Sequence, residues 1–540
     1  MATAVRLVGG AGTGKTTSLM GILEKLIERL GDVRLVGFAS LSRAARGEAV
    51  KRACGIWGWD EAELTKDGWF RTLHSICYRL CEVKRGQLVI GDTRDGQAWL
   101  KTNMGVTLRS VLDDDSGCTT FVGDSLEARA LNLWDRARNS LRPLQDICEE
   151  DAFIYPDSPA YSDVLPEVQR YETAKRVDDM VDFADILLSF AGIGASPSSG
   201  YYEKTPVGDV PGLTAWLIDE AQDLSPLTAR VVQRLANAPS CKWLYLVGDP
   251  FQSIYGFAGA TPKPFMSWPV EQQKVMPRSY RCPKVVSDLG EQILSGCSDY
   301  WERGVAPAEH DGEVVAADVS ELSSLVQAGD DWLVIARTNH QADAMRRVLD
   351  DADVPHRSTK SEGATHAARG KRALWELEQG KAIDPAEFAF ALELIPSKGL
   401  LEWGAKSNYD PTQHERIHLT NLTSAGCKDA LQTAVFTGEW ATLVDGGVRF
   451  RDWADRYGAD VATCPRVRVG TIHSVKGAEA DSVFVLASSV ARFDTGAQAS
   501  QDRRDEELRL GYVAVTRARR RLIVASDAAA SFTMPGLEGF

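Results

Sequence analysis

No stretch of the 540-residue sequence approaches 18 consecutive apolar residues, so a membrane-spanning helix is not expected and no membrane partner is assigned. No secretory leader is expected either, because the chain runs from Met1 directly into an apolar strand and a glycine loop. Its ten cysteines lie scattered from Cys54 to Cys464 without a single C-x-x-C pair. That excludes a disulfide framework and a clustered zinc site, and reads as reduced thiols of an intracellular, cytoplasmic protein. Positive charge is short as well: 61 basic residues face 75 acidic ones, a formal net of -14. A chain of that balance has no general attraction to polyanions, so any grip on nucleic acid must come from a local basic groove. No repeat of solenoid period is present.

What is there is an ordinary globular composition, 44% hydrophobic and 25% charged, long enough for three or four domains at about 150 residues each. Val5, Leu7 and Val8 form a short apolar strand that Gly9 to Gly14 breaks. From Thr16, the residues Leu19, Leu23, Leu26, Ile27 and Leu30 recur at helical spacing, and Gly31 is placed to stop the helix. Val33 to Phe38 reads as the next strand. Further apolar runs fall at 215–218, 243–247, 332–336, 466–469, 483–486 and 522–525. Strand, loop, helix, strand is the start of a parallel sheet covered on both faces. Roughly 82–170 and 365–462 lack strand-like runs and read as mostly helical insertions, and 195–200 as a loop. The fold class expected is therefore α/β, two parallel-sheet cores, each with a helical insert.

Gly9-Gly10-Ala11-Gly12-Thr13-Gly14-Lys15-Thr16 matches G-x-x-x-x-G-K-[ST] between an apolar strand and an amphipathic helix, the context that makes such a loop a phosphate cradle. Backbone amides curl around the phosphates, the helix N-terminus adds positive dipole, Lys15 meets the β- and γ-phosphates and Thr16 holds Mg²⁺. Leu217-Ile-Asp219-Glu220-Ala-Gln222-Asp223 sets two carboxylates directly after a buried strand. Asp219 beside Mg²⁺ and Glu220 on the attacking water suit that burial; an acidic turn capping the next helix is the plainer reading. In Gly248-Asp249-Pro-Phe-Gln252-Ser-Ile-Tyr255-Gly-Phe257, Gln252 is placed to report the γ-phosphate. Tyr255 and Phe257 are either stacking faces for bases or core aromatics. Arg281 in Ser279-Tyr-Arg-Cys and Arg517 in Val515-Thr-Arg-Ala518 are candidate arginine fingers, though each alone reads as a surface ion pair. Thr471-Ile-His473-Ser-Val-Lys476-Gly-Ala-Glu479 mixes imidazole, cation and carboxylate between two strands.

In this order along the chain, these motifs resemble the superfamily 1A helicases of the UvrD, Rep and PcrA type. Motif I is Gly9 to Thr17 and motif Ia, loosely, Ser42 to Ala45. Thr72-Leu-His74 is similar to the T-x-H element and Asp182-Phe-Ala-Asp-Ile-Leu187 to the D-F-x-D-L-L element. Motif II is Asp219 to Asp223, motif III Val247 to Ala260, motif IV Ser279 to Cys282 and motif IVa Arg337 to Asn339. Motif V is Thr471 to Glu479 and motif VI Glu507 to Ala518.

The resemblance implies two RecA-like cores: 1A over 1–81 and 171–278, and 2A over 279–364 and 463–540. It also implies helical inserts 1B at 82–170 and a short 2B at 365–462. ATP and Mg²⁺ would be held by Gly10, Gly12, Thr13, Gly14, Lys15, Thr16, Thr17 and Asp219, with Glu479 at the ribose, and ATP would lie between the cores. Lys15, Glu220, Gln252, Arg281 and Arg517 would carry hydrolysis. His74, Tyr255, Phe257, His473 and Lys476 would line or couple to single-stranded DNA. Arg136-Ala-Arg-Asn139 resembles the basic signature of 1B, and Pro396-Ser-Lys-Gly399 faintly a glycine motif that meets duplex DNA.

The activity implied is an ATP-driven, 3′-to-5′ single-stranded DNA translocase and helicase of replication, repair or recombination. It would act on single strands and single/double-strand junctions, with an accessory protein or further copies as partners. A remodelling translocase that unwinds little, and a P-loop switch without nucleic acid, are the alternatives. Four departures from the family stand out. No glutamine motif precedes Gly9, Ala258 replaces an arginine, 2B is short, and little chain follows motif VI. The last of these leads to the expectation that long duplexes open poorly.

Overall fold

Parallel strands covered by helices on both faces bury every residue, so they read as unbroken apolar runs. The computed structural model describes residues 2–41, 43–89, 93–112, 119–155, 157–359, 361, 363–490, 493 and 500–540. Six strands form an all-parallel sheet in the order Gln272–Val275, Thr3–Val8, Trp243–Gly248, Ala215–Ile218, Val36–Ser40, Phe70–Thr72, and two of the inner ones, Ala215–Ile218 and Val36–Ser40, are buried throughout. Side chains alternate between the two faces. Phe38 and Leu217 join Leu19, Leu23 and Val247 in one core, while Ala39, Trp216 and Ile218 join Leu73, Leu227 and Leu244 in the other. The helix Lys15–Leu30 buries Leu19, Leu23 and Leu26 and stops at Gly31, whose φ of 74° is left-handed. Val33–Leu35 is a 3₁₀ turn and the strand starts only at Val36.

A second all-parallel sheet runs Glu313–Asp318, Ala518–Ser526, Ala480–Leu486, Trp332–Ala336, Val467–Thr471, His356–Ser358. The fold is thus α/β with two RecA-like cores. The chain divides into one unit of Met1–Asp311, Val490–Thr516 and Met534–Gly536, and a second of Gly312–Ser489, Arg517–Thr533 and Leu537–Phe540. Within the first unit, Ser279 and Tyr280 hydrogen-bond the glycine loop, through Ser279 Oγ to Ala11 O (2.8 Å) and Tyr280 N to Gly12 O (2.8 Å).

The insert expected at 82–170 is helical except for the hairpin Arg109–Leu112 with Thr119–Val122, and its last helix, Tyr161–Val177, runs past 170. The loop expected at 195–200 is the tip of a hairpin, Ile193–Ser196 with Gly200–Glu203. The insert at 365–462 is built of helices and short turns around a core of its own that includes Leu374, Phe388, Ile417, Leu422, Trp440 and Phe450. Several motif residues act locally as helix caps. Thr72 caps Leu73–Leu80, Asp182 and Asp185 form a capping box on Phe183–Ala191, and Thr338 with Gln341 does the same for Asn339–Asp351. Ser42, the start of the expected motif Ia, lies outside the described residues. Among the described residues, no helix is long and apolar enough to cross a membrane.

Candidate nucleotide and nucleic-acid site

The glycine loop leaves the strand Thr3–Val8 and turns into the helix Lys15–Leu30 through two left-handed glycines, Gly12 and Gly14. Gly12 is doubly required: its φ is +69°, and an added Cβ would stand 2.3 Å from Arg281 Cβ. Thr13 Oγ1 donates to Gly10 O at 3.0 Å, pinning the loop from inside. Lys15 Nζ lies 3.2 Å from Gly9 O and 3.5 Å from Gly10 O, folded over the loop. No side chain caps the helix at Gly14, which leaves its first-turn amides open to an anion. Phosphate fits this cradle. Thr16 opens the helix beside Lys15, and Thr17 Oγ1 accepts from Arg52 at 3.1 Å.

Asp219 and Glu220 follow the strand Ala215–Ile218. Asp219 is 2% exposed, and burial, then the neighbouring Glu220, push its carboxyl up to about 7. A divalent cation is the natural partner for such a pair, so Mg²⁺ fits at Asp219. Glu220 adopts φ 51°, ψ 40°, a left-handed conformation that costs a non-glycine residue free energy and is characteristic of functional turns. Its carboxylate accepts from Gln222 Nε2 (2.5 Å), whose Oε1 accepts from Asp249 N (3.0 Å). At Gly248 a Cβ would sit 2.2 Å from that same Oε1. Asp249 Oδ2 then accepts from Gln252 Nε2 at 2.8 Å. The carboxylate pair and Gln252, some thirty residues apart in sequence, are one hydrogen-bonded piece.

Arg281 belongs to the same unit. Its Cβ touches the glycine loop, and its Nη1 donates to Thr516 O at 3.4 Å. Tyr280, 73% exposed, stands beside Gly14. Arg303 and Tyr512 went unseen in the sequence. Arg303, 6% exposed, pairs with Asp249 at 2.8 Å and Glu291 at 2.6 Å. Nothing in the local sequence around Arg303 signals this, because its partners are remote. Tyr512 lies within motif VI, and its own spacing carries no sign of the remote groups its hydroxyl meets.

Of the two motif III aromatics, Phe257 is 50% exposed and Tyr255 only 1%. Tyr255 packs edge-on to Phe257 with centroids 6.1 Å apart, so the stacking face expected of Tyr255 is turned into the core, and Phe257 alone of the pair offers one. His74 is likewise enclosed, edge-on to Phe183. Burial lowers its imidazole to about 4, so it is neutral at physiological pH and presents no cation to phosphate.

The basic signature expected at 136–139 is consumed internally. Arg136 pairs with Glu150 and Asp151. Arg138 meets Asp135, Glu172, Asp182 and Asp185, with Lys175 beside it. Burial works to raise Asp182, but Arg138 and Lys175 outweigh it and hold that carboxyl well below the usual range. Burial raises Asp135 to about 7. This cluster ties the helices Leu126–Ser140 and Tyr161–Val177 to Phe183–Ala191. Removing one buried partner leaves uncompensated charge, so Arg138→Met is expected to cost about 3–5 kcal/mol, read by urea denaturation at pH 7.

In the second unit, Arg517 is 1% exposed and donates to Ala478 O at 3.2 Å. Glu479 pairs with Arg519 at 3.1 Å. His473 opens a 3₁₀ turn over His473–Val475, and Lys476 follows it. These four residues of motifs V and VI therefore sit at the ends of the strands Val467–Thr471, Ala480–Leu486 and Ala518–Ser526.

Two family models match the chain: the UvrD/REP helicase N-terminal domain over residues 1–271 and the UvrD-like helicase C-terminal domain over 455–528. The chain is 24% identical over 573 residues to the ATP-dependent DNA helicase UvrD2 of Mycobacterium tuberculosis, spanning 96% of this chain and 76% of that protein. It is 28% identical over 309 residues to the ATP-dependent DNA helicase srs2 of Schizosaccharomyces pombe, covering 54% of this chain and 33% of that one. It is 22% identical over 377 residues to the ATP-dependent DNA helicase PcrA of Staphylococcus aureus, at 65% and 48% coverage.

Proposed function

Because the chain belongs to the UvrD/REP helicase family, we propose that it is an ATP-driven translocase on single-stranded DNA that opens duplexes, moving 3′ to 5′. The observation that carries this reading is the hydrogen-bonded continuity from Glu220 through Gln222 and Asp249 to Gln252, three residues before a turn that exposes Phe257. That continuity gives a hydrolytic centre a physical route to a base-stacking surface. Lys15 and the loop amides hold the phosphates, and Thr16 and Asp219 would hold Mg²⁺, which would neutralise phosphate charge. Glu220 takes the proton of the attacking water and Gln252 reports the γ-phosphate. Arg281 and Arg517 stabilise charge on the transferring phosphoryl group, and Glu479 meets the ribose. Phe257, His473 and Lys476 engage the strand.

The test is ATP turnover with and without DNA and RNA oligonucleotides, followed by strand displacement on 3′- and 5′-tailed duplexes. Stimulation by single-stranded DNA and displacement of the 3′-tailed substrate are expected. Turnover indifferent to nucleic acid overturns the reading, and stimulation without displacement reduces it to translocation. Affinity for single strands should fall with rising salt despite the net charge of -14, because phosphate contacts release counterions. Phe257→Ala should weaken single-strand binding by about 1–3 kcal/mol, the worth of one stacked base. Salt-insensitive binding, measured by fluorescence anisotropy of a labelled dT oligonucleotide, contradicts the electrostatic half of that expectation.

A further inference from the structure

We propose that the helix Gln501–Val515 is a two-ended positioning element: Tyr512 sets the nucleotide loop and Gln252 for turnover, and Glu506 sets the Phe257 turn for its response to DNA. This rests on the functional reading above. At one end, the Tyr512 hydroxyl accepts from Ala11 N at 3.1 Å and donates to Asp249 Oδ2 at 3.2 Å. The same Asp249 oxygen accepts from Gln252, and Arg303 holds the other at 2.8 Å. One proton and one lone pair thus join the loop that cradles phosphate, through Asp249, to the Gln252 side chain. An added Cβ on Gly10 would lie 3.4 Å from Arg303 Nη1 and 3.6 Å from Tyr512 Oη, so both stand directly against the loop.

At the other end, Glu506 Oε1 accepts from Gly256 N at 2.8 Å, and Gly256 separates Tyr255 from Phe257. Glu506 and Tyr512 are six residue steps apart along the helix, about 9 Å of rise. The helix is held in register along one stripe. Asp505 accepts from Ser298 N at 3.1 Å, Arg509 meets Asp299 at 2.9 Å, and the Thr516 carbonyl just beyond the helix receives Arg281. Displacing the helix along its axis would move both ends together. A hydroxyl and a carboxylate that served packing alone would not each need a backbone amide from a different functional loop.

Tyr512 acts through the Ala11 amide and Asp249, and Glu506 through the Gly256 amide, so each is a positioning residue, and the two ends predict opposite kinetic signatures. Tyr512→Phe keeps the ring and removes only the hydroxyl. It should lower kcat at least about tenfold with ATP KM and half-saturating DNA within about threefold of wild type, the pattern of an interaction realised in turnover. Glu506→Ala should raise the half-saturating concentration of a dT oligonucleotide at least about tenfold with kcat at saturation within about threefold, and Glu506→Gln, which keeps an acceptor oxygen, should restore most of it. Wild-type kcat in Tyr512→Phe overturns the first end. Wild-type DNA dependence in Glu506→Ala, or a Gln variant as impaired as Ala, overturns the second. Parallel losses of kcat and DNA response in both variants reduce the helix to a structural support. Wild-type turnover that ignores DNA refutes the functional reading instead, and leaves the Tyr512→Phe comparison to decide its end on ATP hydrolysis alone.

Discussion

Glu220→Gln is expected to lower ATP turnover by about 10²–10⁴-fold, the contribution of a positioned general base, while nucleotide binding persists. The substitution keeps the size of the side chain and an oxygen able to accept from Gln222, so the link to Asp249 survives. What it removes is the capacity to take a proton. The left-handed backbone at Glu220 is set by its neighbours and is equally open to glutamine. Circular dichroism and nucleotide affinity should therefore match wild type, and steady-state hydrolysis carries the test. A variant retaining more than about a tenth of wild-type turnover excludes Glu220 as the base, since that loss is smaller than general-base catalysis supplies.

Arg281→Ala is expected to lower turnover by up to about 10³–10⁵-fold, the range for an arginine that meets charge on the transferring phosphoryl group. The geometry makes this substitution clean. The contact of residue 281 with Gly12 is through Cβ, which alanine retains, so the glycine loop keeps its packing. Only the guanidinium, with its donation to Thr516 O, is lost. Nucleotide dissociation constants should move far less than kcat, because the interaction strengthens as charge develops in the transition state. Raised dissociation constants at unchanged kcat would instead make Arg281 a ground-state binding residue.

The sequence alone determined the parts of this protein that depend on neighbours in the chain. The strands at 215–218 and 332–336 were legible because parallel strands buried on both faces need unbroken apolar runs. The helix from Lys15 was legible from its stripe and from Gly31. The glycine loop, the Asp219–Glu220 pair and the ordered motifs were legible because each is a short pattern with its own chemistry. Even the cap roles of Thr72, Asp182 and Thr338 follow from spacing, although the sequence alone suggested family signatures there rather than helix starts.

Tertiary structure decided everything that depends on partners far along the chain. Local pattern marks an arginine but not its counter-ion: Arg136 and Arg138 looked like a basic surface, yet four acidic side chains on three helices enclose Arg138. It marks two aromatics two residues apart but not which faces solvent, and packing buried Tyr255 while leaving Phe257 half exposed. It offered no sign of Arg303 or of the Tyr512 hydroxyl, whose partners at Asp249 and Ala11 lie 54 and 501 residues away. The same holds for Ser279 and Tyr280, whose hydrogen bonds reach Ala11 and Gly12 in the glycine loop far upstream in the chain. Local spacing dictates which element forms; the geometry of the closed chain dictates which of its side chains are spent on each other and which are left for chemistry.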